Sequence, residues 1–352
     1  MNTNETYMNR CLELAKKGFP AAMPNPSVGA VIVCNNKIIG EGFTAAYGGN
    51  HAEVNAINAV VDKSLLSKST LYVSLEPCSH FGKTPPCADL IIAHKISKVV
   101  IGITDSNEKV AGKGIQQLKN AGIEVEIGVL EEECYESNKR FFTFHNKKRP
   151  YIILKWAESF DGFIAPEYQE IGKSFSIAND MSRQMVHKWR SDEQAILVGT
   201  TTVLKDNPQL NVRFWSGKNP VRIVIDKLGK ISKDNFVKDN SVKTIFITEN
   251  KGLITSENTI YENCTFDERL VFSICEILYN HQIQSVIIEG GTKTIQSFVD
   301  ANLWDEARIF RSDILLQKGV NAPKINFQNF EKMDVLDDTL VVVFNEKYQT
   351  SN

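Results

Sequence analysis

The chain has 352 residues, more than one ordinary core accommodates and about right for two domains of ~150–200 residues each. At 42% hydrophobic and 23% charged residues its composition is globular, which argues against disorder. A net charge of −2 and a pI of about 6.3 give no electrostatic case for a long nucleic acid or an anionic membrane as partner.

The segment Met1 to Lys17 is polar, then amphipathic, and has no apolar run of a signal peptide. No stretch approaches the ~18 consecutive apolar residues of a membrane span. Seven cysteines, an odd number without a secretory signal, read as reduced thiols and predict a cytoplasmic location.

Arg10 to Lys16 reads as a helix, and Val28 to Val33 as a strand turning at Asn35-Asn36 into Lys37 to Ile39. A helix from Ala52 to about Val61 precedes a strand at Thr70 to Leu75. The helix Ala88 to His94, strand Lys98 to Ile103, helix Gly114 to Ala121 and strand Ile123 to Val129 follow. A helical pattern from Glu131 to about Phe144 then leads into the basic, proline-terminated stretch His145 to Pro150. Buried strands separated by helices predict a layered α/β fold. The expected domains are residues 1–146 and 150–352. The second carries a new series of strands at Tyr151 to Leu154, Ala195 to Gly199, Val221 to Ile225, Thr244 to Ile247 and Ser285 to Ile288. A last strand, Thr339 to Tyr348, is expected to run antiparallel at the end of the sheet.

"HAEVNAI", His51 to Ile57, admits a plain reading in which Asn50 caps a helix and Glu53 reaches back to its free amides. "SLEPCSHFGKTPPC", Ser74 to Cys87, changes that reading. Together they place one histidine and two cysteines at the starts of consecutive helices, three ligands for a tetrahedral zinc with the fourth position left for water. His80 is a candidate to close the site. The set resembles the zinc-deaminase signature, H-x-E followed by P-C-x-x-C, here with eight residues between the cysteines. Thus His51, Cys78 and Cys87 are the expected ligands. Glu53 is the expected acid–base residue, moving the proton of the water that displaces an amine.

"MPNPSVGAVIV", "HAEVNAI", "EPCSHFGKTPPC" and "VAGKGIQQLKNAGIEV" stand in the order of the bifunctional riboflavin-biosynthesis deaminase/reductase family. The stretched insert with His80, Lys83 and Thr84 is characteristic of it. The likeness continues in "LKWAESFDGFIA", "AILVGTTTVLKDNPQLNVR" and "IIEGG", so it covers almost the whole chain, more weakly after about Arg311. The resemblance implies a cytidine-deaminase-like three-layer domain followed by a dihydrofolate-reductase-like domain. It implies hydrolytic deamination of 2,5-diamino-6-ribosylamino-4(3H)-pyrimidinone 5′-phosphate with one zinc ion. NADPH-dependent reduction of the ribosyl group to ribityl follows. A homo-oligomer is expected.

Residue by residue, the family's substrate contacts fall on Ser174, Arg190, Leu210, Arg213 and Glu289, with the arginines suited to a 5′-phosphate. Lys155, at the end of a strand, is expected to face the ribosyl oxygen where charge develops. Gly290-Gly291-Thr292 ahead of a helix offers amides and a positive dipole end to the pyrophosphate of NADPH. The remaining cofactor contacts fall on Ala157, Ser176, Thr202 and Asp206. The chain departs from the family pattern at Ser176, at Thr201, across Arg311-Ser312-Asp313 and at Asp105-Ser106-Asn107. These departures leave open an alternative, a zinc deaminase of another nucleobase or nucleotide whose reductase-like domain no longer reduces.

Overall fold

The computed structural model describes residues 2–81, 85–106, 112–168, 170, 172, 175–328 and 330–345. Within these, one compact unit ends at Lys147 and a second begins at Lys148.

The first unit runs α1 (Thr3–Gly18), β1 (Gly29–Cys34), β2 (Lys37–Phe43), α2 (Ala52–Ala59), β3 (Thr70–Leu75), α3 (Cys87–Ala93), β4 (Lys98–Ile103), α4 (Lys113–Asn120), β5 (Glu124–Ile127), α5 (Glu131–Ser137) and α6 (Lys139–Lys147). Its sheet has the order β2-β1-β3-β4-β5, antiparallel around β1 and parallel from β3 to β5. Every residue of β1 is buried, as expected of a strand covered on both faces. Two glycines set the layers. A Cβ on Gly29 would lie 1.9 Å from the Cys11 carbonyl oxygen of α1, and one on Gly42 would lie 2.4 Å from the Ala52 carbonyl oxygen of α2. Gly42 pairs with Ala30, the neighbour of Gly29, so the two glycines face opposite sides of the sheet. Consequently α1 and α2 pack on opposite faces, and α2 is seated at its first turn.

The plain capping reading of Asn50 is not realised, and one local expectation fails. His51, not Asn50, is the N-cap of α2, and its side chain makes no cap hydrogen bond; the Asn50 amide instead donates to Asn55 Oδ1. The helix expected from Glu131 to Phe144 breaks at Asn138. That buried side chain accepts from Ser27 N at 2.8 Å and donates to Ser27 O at 3.1 Å. Two buried bonds at a net ~1 kcal/mol each outweigh the helical continuity that is lost.

The second unit runs β6 (Tyr151–Glu158), β7 (Phe163–Pro166), α7 (Asp180–Asp192), β8 (Ala195–Gly199), α8 (Thr200–Asp206), β9 (Val221–Ile225), β10 (Thr244–Thr248), β11 (Thr259–Asn263), α9 (Leu270–Asn280), β12 (Ser285–Ile288), α10 (Thr292–Asp300), β13 (Glu306–Ser312), β14 (Gly319–Asn321), β15 (Phe330–Val335) and β16 (Asp338–Phe344). The main sheet has the order β11-β10-β9-β8-β12-β6-β13-β16-β15 and is parallel from β11 to β13. β16 is antiparallel as expected, but it is penultimate rather than terminal, because β15 pairs with its outer edge. β6 continues to Glu158, so Lys155 sits inside the strand and not at its end. Its core is built from the alternating apolar residues of β6, β8 and β12 together with α9 and α10. Among the described residues no helix is long and apolar enough to cross a membrane.

Candidate active sites

In the first unit three ligating side chains meet at the ends of adjacent elements. His51 precedes α2, Cys78 lies in the loop after β3, and Cys87 is the first residue of α3, placed there by Pro86 at the N-cap. Their donor atoms all lie within 4.8 Å of one another. The His51 Nδ1 is 3.5 Å from Cys78 Sγ and 3.3 Å from Cys87 Sγ. Zinc bonds of ~2.0 Å to nitrogen and ~2.3 Å to sulfur at tetrahedral angles separate N and S by about 3.5 Å, so the set fits that ion. His80 is exposed and does not join the group. Lys83 and Thr84 lie outside the described residues.

Protonation of the site points the same way. Hydrogen bonding from the Cys87 thiol, together with His51, pulls the Cys78 thiol down to about 4 against the cost of burial. The Cys87 thiol is pushed up, first by its bond to Cys78 and then by burial. Only one of two neighbouring buried thiols ionises unaided; holding both as thiolates calls for a cation between them. Glu53, in the first turn of α2 and 4% exposed, is pushed up to about 7, chiefly by burial and then by the Cys78 charge. A carboxyl balanced near neutrality beside a metal site is suited to take and return a proton.

In the second unit, adjacent strands and one helix bring three charges together. Lys155 Nζ of β6 is 3.9 Å from Glu289 Oε2, just past β12, and Arg190 of α7 binds the same carboxylate through two hydrogen bonds. Burial would push the Glu289 carboxyl up, but Arg190 and Lys155 hold it at about 2. Burial lowers Lys155, against Glu289 and in concert with Arg190. Arg213 donates to Gln209 Oε1 at 3.0 Å and to Asn211 Oδ1, and Arg190 donates to Asn211 O at 3.3 Å. Burial and the charges of Arg190 and Arg183 lower Arg213. Crowded cations of this kind favour an anionic ligand.

Of the expected cofactor residues, Gly290, Gly291, Thr292 and Thr202 gather at the carboxyl ends of β8 and β12. Gly291 is the N-cap of α10, and its N–H donates to Thr202 Oγ1 of α8 at 3.0 Å. A Cβ on Gly290 would lie 3.3 Å from the Gly199 nitrogen, so the backbones at the ends of β8 and β12 lie close together there. Thr292 Oγ1 donates to Asn321 O. Asp206 ends α8, and Ala157 lies in β6 opposite Phe310. Ser176 is exposed and donates to Ala178 O, with no bond to this group. Leu210 is 3% exposed and its side chain is in the core; its φ of 53° is rare for leucine, so it offers a ligand only its backbone. Ser174 lies outside the described residues.

Reading the sequence misses His187, whose Nδ1 accepts the Arg213 N–H at 3.1 Å and whose ring meets Phe214 edge-on at 4.9 Å. The imidazole is lowered to about 4, chiefly by burial and then by Arg190 and Arg213, so it accepts at neutral pH. The signal was available in the spacing of Arg183, His187 and Arg190, which aligns basic residues along one face of a helix.

Comparison with known proteins matches both halves. Residues 1–103 match the cytidine and deoxycytidylate deaminase zinc-binding region, and residues 150–332 match the RibD C-terminal domain. The chain is 37% identical over 353 residues to the riboflavin biosynthesis protein RibD of Aquifex aeolicus, covering 97% of this chain and 98% of that one. It is 34% identical over 345 residues to RibD of Escherichia coli, covering 89% and 88%. A diaminohydroxyphosphoribosylaminopyrimidine deaminase/5-amino-6-(5-phosphoribosylamino)uracil reductase of Thermotoga maritima superposes with a TM-score of 0.86. It is 39% identical, with 97% of this chain and 98% of that chain covered.

Proposed function

The chain belongs to the RibD family and is a bifunctional deaminase and reductase of riboflavin biosynthesis, and we propose that its chemistry divides at the Asn146–Pro150 stretch. Residues 1–146 deaminate a diaminohydroxyphosphoribosylaminopyrimidine, and residues 150–352 reduce the resulting phosphoribosylaminouracil with NADPH. The observation that carries this reading is the convergence of His51, Cys78 and Cys87 beside the buried Glu53.

His51, Cys78 and Cys87 would hold the zinc. Zinc supplies the Lewis acidity that makes water nucleophilic near neutral pH. Glu53 accepts the first proton of the water and delivers it to the ring nitrogen as oxygen bonds to carbon; it then takes the proton of the added hydroxyl and delivers it to the amine, which leaves as ammonia as the carbonyl forms.

In the reductase, Gly290, Gly291 and Thr292 would hold the cofactor's phosphates, and Ala157, Ser176, Thr202 and Asp206 would complete its site. NADPH supplies the hydride. Arg190 and Arg213 fix the substrate phosphate, while Ser174, Leu210 and Glu289 complete its binding site. Lys155 donates to the ribosyl oxygen on which charge develops; its lowered pKa eases the proton's departure.

Mass analysis of products from the purified protein tests the whole. Without NADPH the substrate should exchange an amine for a carbonyl oxygen; with NADPH it should also gain a hydride and a proton. Oxidation of no NADPH in the presence of the deaminated intermediate would overturn the reductase half.

A further inference from the structure

We propose that Glu76 is a positioning residue of the zinc site, clamping the N-terminus of α4 onto the peptide that carries Cys78. The inference rests on the zinc reading above and concerns a side chain two residues from a ligand.

Glu76 is 4% exposed, yet among the described residues its carboxylate accepts four backbone N–H groups. Oε2 accepts from Asp105 at 3.2 Å and Gly112 at 3.0 Å, and Oε1 from Gly114 at 3.0 Å and Ile115 at 3.2 Å. The cap residue of α4 is Gly112, which has no side chain to satisfy the helix's first amides. Glu76 does this from the loop just past β3, and its charge suits the positive end of the helix.

The clamp bears directly on the ligand loop. A Cβ on Gly114 would lie 2.1 Å from the Pro77 carbonyl oxygen, so α4 rests on the Pro77–Cys78 peptide itself. On its other side Cys78 is fixed by α3: Ala88 N–H donates to the Cys78 carbonyl at 3.1 Å, and Cys87 N–H to Cys78 Sγ at 3.3 Å. Cys78 is thus held between two helix N-termini, and Glu76 supplies the only charged tie among these contacts. A cap that served stability alone would need neither the contact of Gly114 with Pro77 nor adjacency to the ligand loop.

The test uses the full-length, zinc-loaded protein, with reduction of the deaminated intermediate as an internal control. Zinc release to a colorimetric chelator is timed in wild type, Glu76→Gln and Gly114→Ala. Loss of a group that orients a ligand typically costs ~10–100-fold in metal affinity or activity. Both variants should therefore release zinc about tenfold faster or more and lose deaminase kcat, with KM and reductase activity little changed. If Glu76→Gln leaves the N-terminal unit unfolded by circular dichroism, Gly114→Ala decides, since it retains the carboxylate and its four donors. Zinc release at the wild-type rate from the folded variants would overturn the role of Glu76. A wild-type protein that binds no zinc would instead overturn the zinc reading.

Discussion

Arg190 and Glu289, 99 residues apart in the chain, meet through two charge-assisted hydrogen bonds, Nη2 to Oε2 at 2.7 Å and Nε to Oε1 at 3.3 Å. A guanidinium facing a carboxylate in this way is fixed in plane before any ligand arrives. Much of Arg190's charge is already answered by Glu289. Among the described residues the Arg213 guanidinium donates to the neutral side chains of Gln209 and Asn211, so it retains the stronger claim on a phosphate.

Arg213→Ala should therefore weaken use of the phosphorylated substrate about 10–100-fold, as expected for one charge-assisted contact of ~1.5–3 kcal/mol. NADPH affinity should change little. Fluorescence titration of NADPH, alongside kinetics on phosphorylated and dephosphorylated substrate, separates the two ligands. Loss of cofactor binding with an intact preference for phosphate would assign this arginine to NADPH.

The same ion pair predicts acid sensitivity. Glu289 titrates near 2 in the folded chain against 4.5 ordinarily. Its stabilising effect, about 3 kcal/mol, is complete above pH 4.5 and declines as pH falls towards 2. Denaturant unfolding of wild type and Glu289→Gln at pH 6 and pH 3.5 measures this: the difference between them should narrow. A gap independent of pH would mean that Glu289 is not held as an anion.

Glu53→Gln should retain zinc and fold while deamination falls ~10²–10⁴-fold, the usual loss for an acid–base group. Elemental analysis and turnover on one preparation distinguish this from loss of the metal. Near wild-type deamination by the variant would reduce Glu53 to a buried helix residue.

Wild type should carry one zinc per chain, and Cys87→Ser should carry far less, because the hydroxyl does not ionise to replace a thiolate. Metal analysis after gel filtration reads this directly. Undiminished zinc in Cys87→Ser would remove that residue from the site.

The convergence of His51, Cys78 and Cys87 was legible in the sequence because it rests on local facts: a histidine opening one helix, a proline-led cysteine opening another, and a strand delivering the third. Strands buried on both faces, such as β1 and β12, were equally plain as apolar runs. What escaped reading depends on distant partners. The break at Asn138 comes from Ser27, 111 residues away. β15 reads as a charged stretch because it is an exposed edge strand whose order comes from β16. The part His187 plays becomes visible only when the Arg213 loop folds against α7. Glu76 stood in the quoted motif, but its four donors lie some thirty to forty residues further on.

The pairing of β6 with β12 has a consequence for how this chain can change in length. Leu154 lies opposite Ile288 across the two parallel strands, so the residues that follow them, Lys155 and Glu289, share one face of the sheet. Inserting or deleting a single residue between Tyr151 and Lys155 reverses the direction of every side chain beyond it. Lys155 would then point away from Glu289, and an apolar neighbour would take its place. β6 should therefore tolerate apolar substitutions along Ile152 to Leu154 far better than any one-residue insertion. A single-codon insertion scan of that strand, scored by reductase turnover, would show an abrupt loss where a substitution scan of the same positions shows a gradual one.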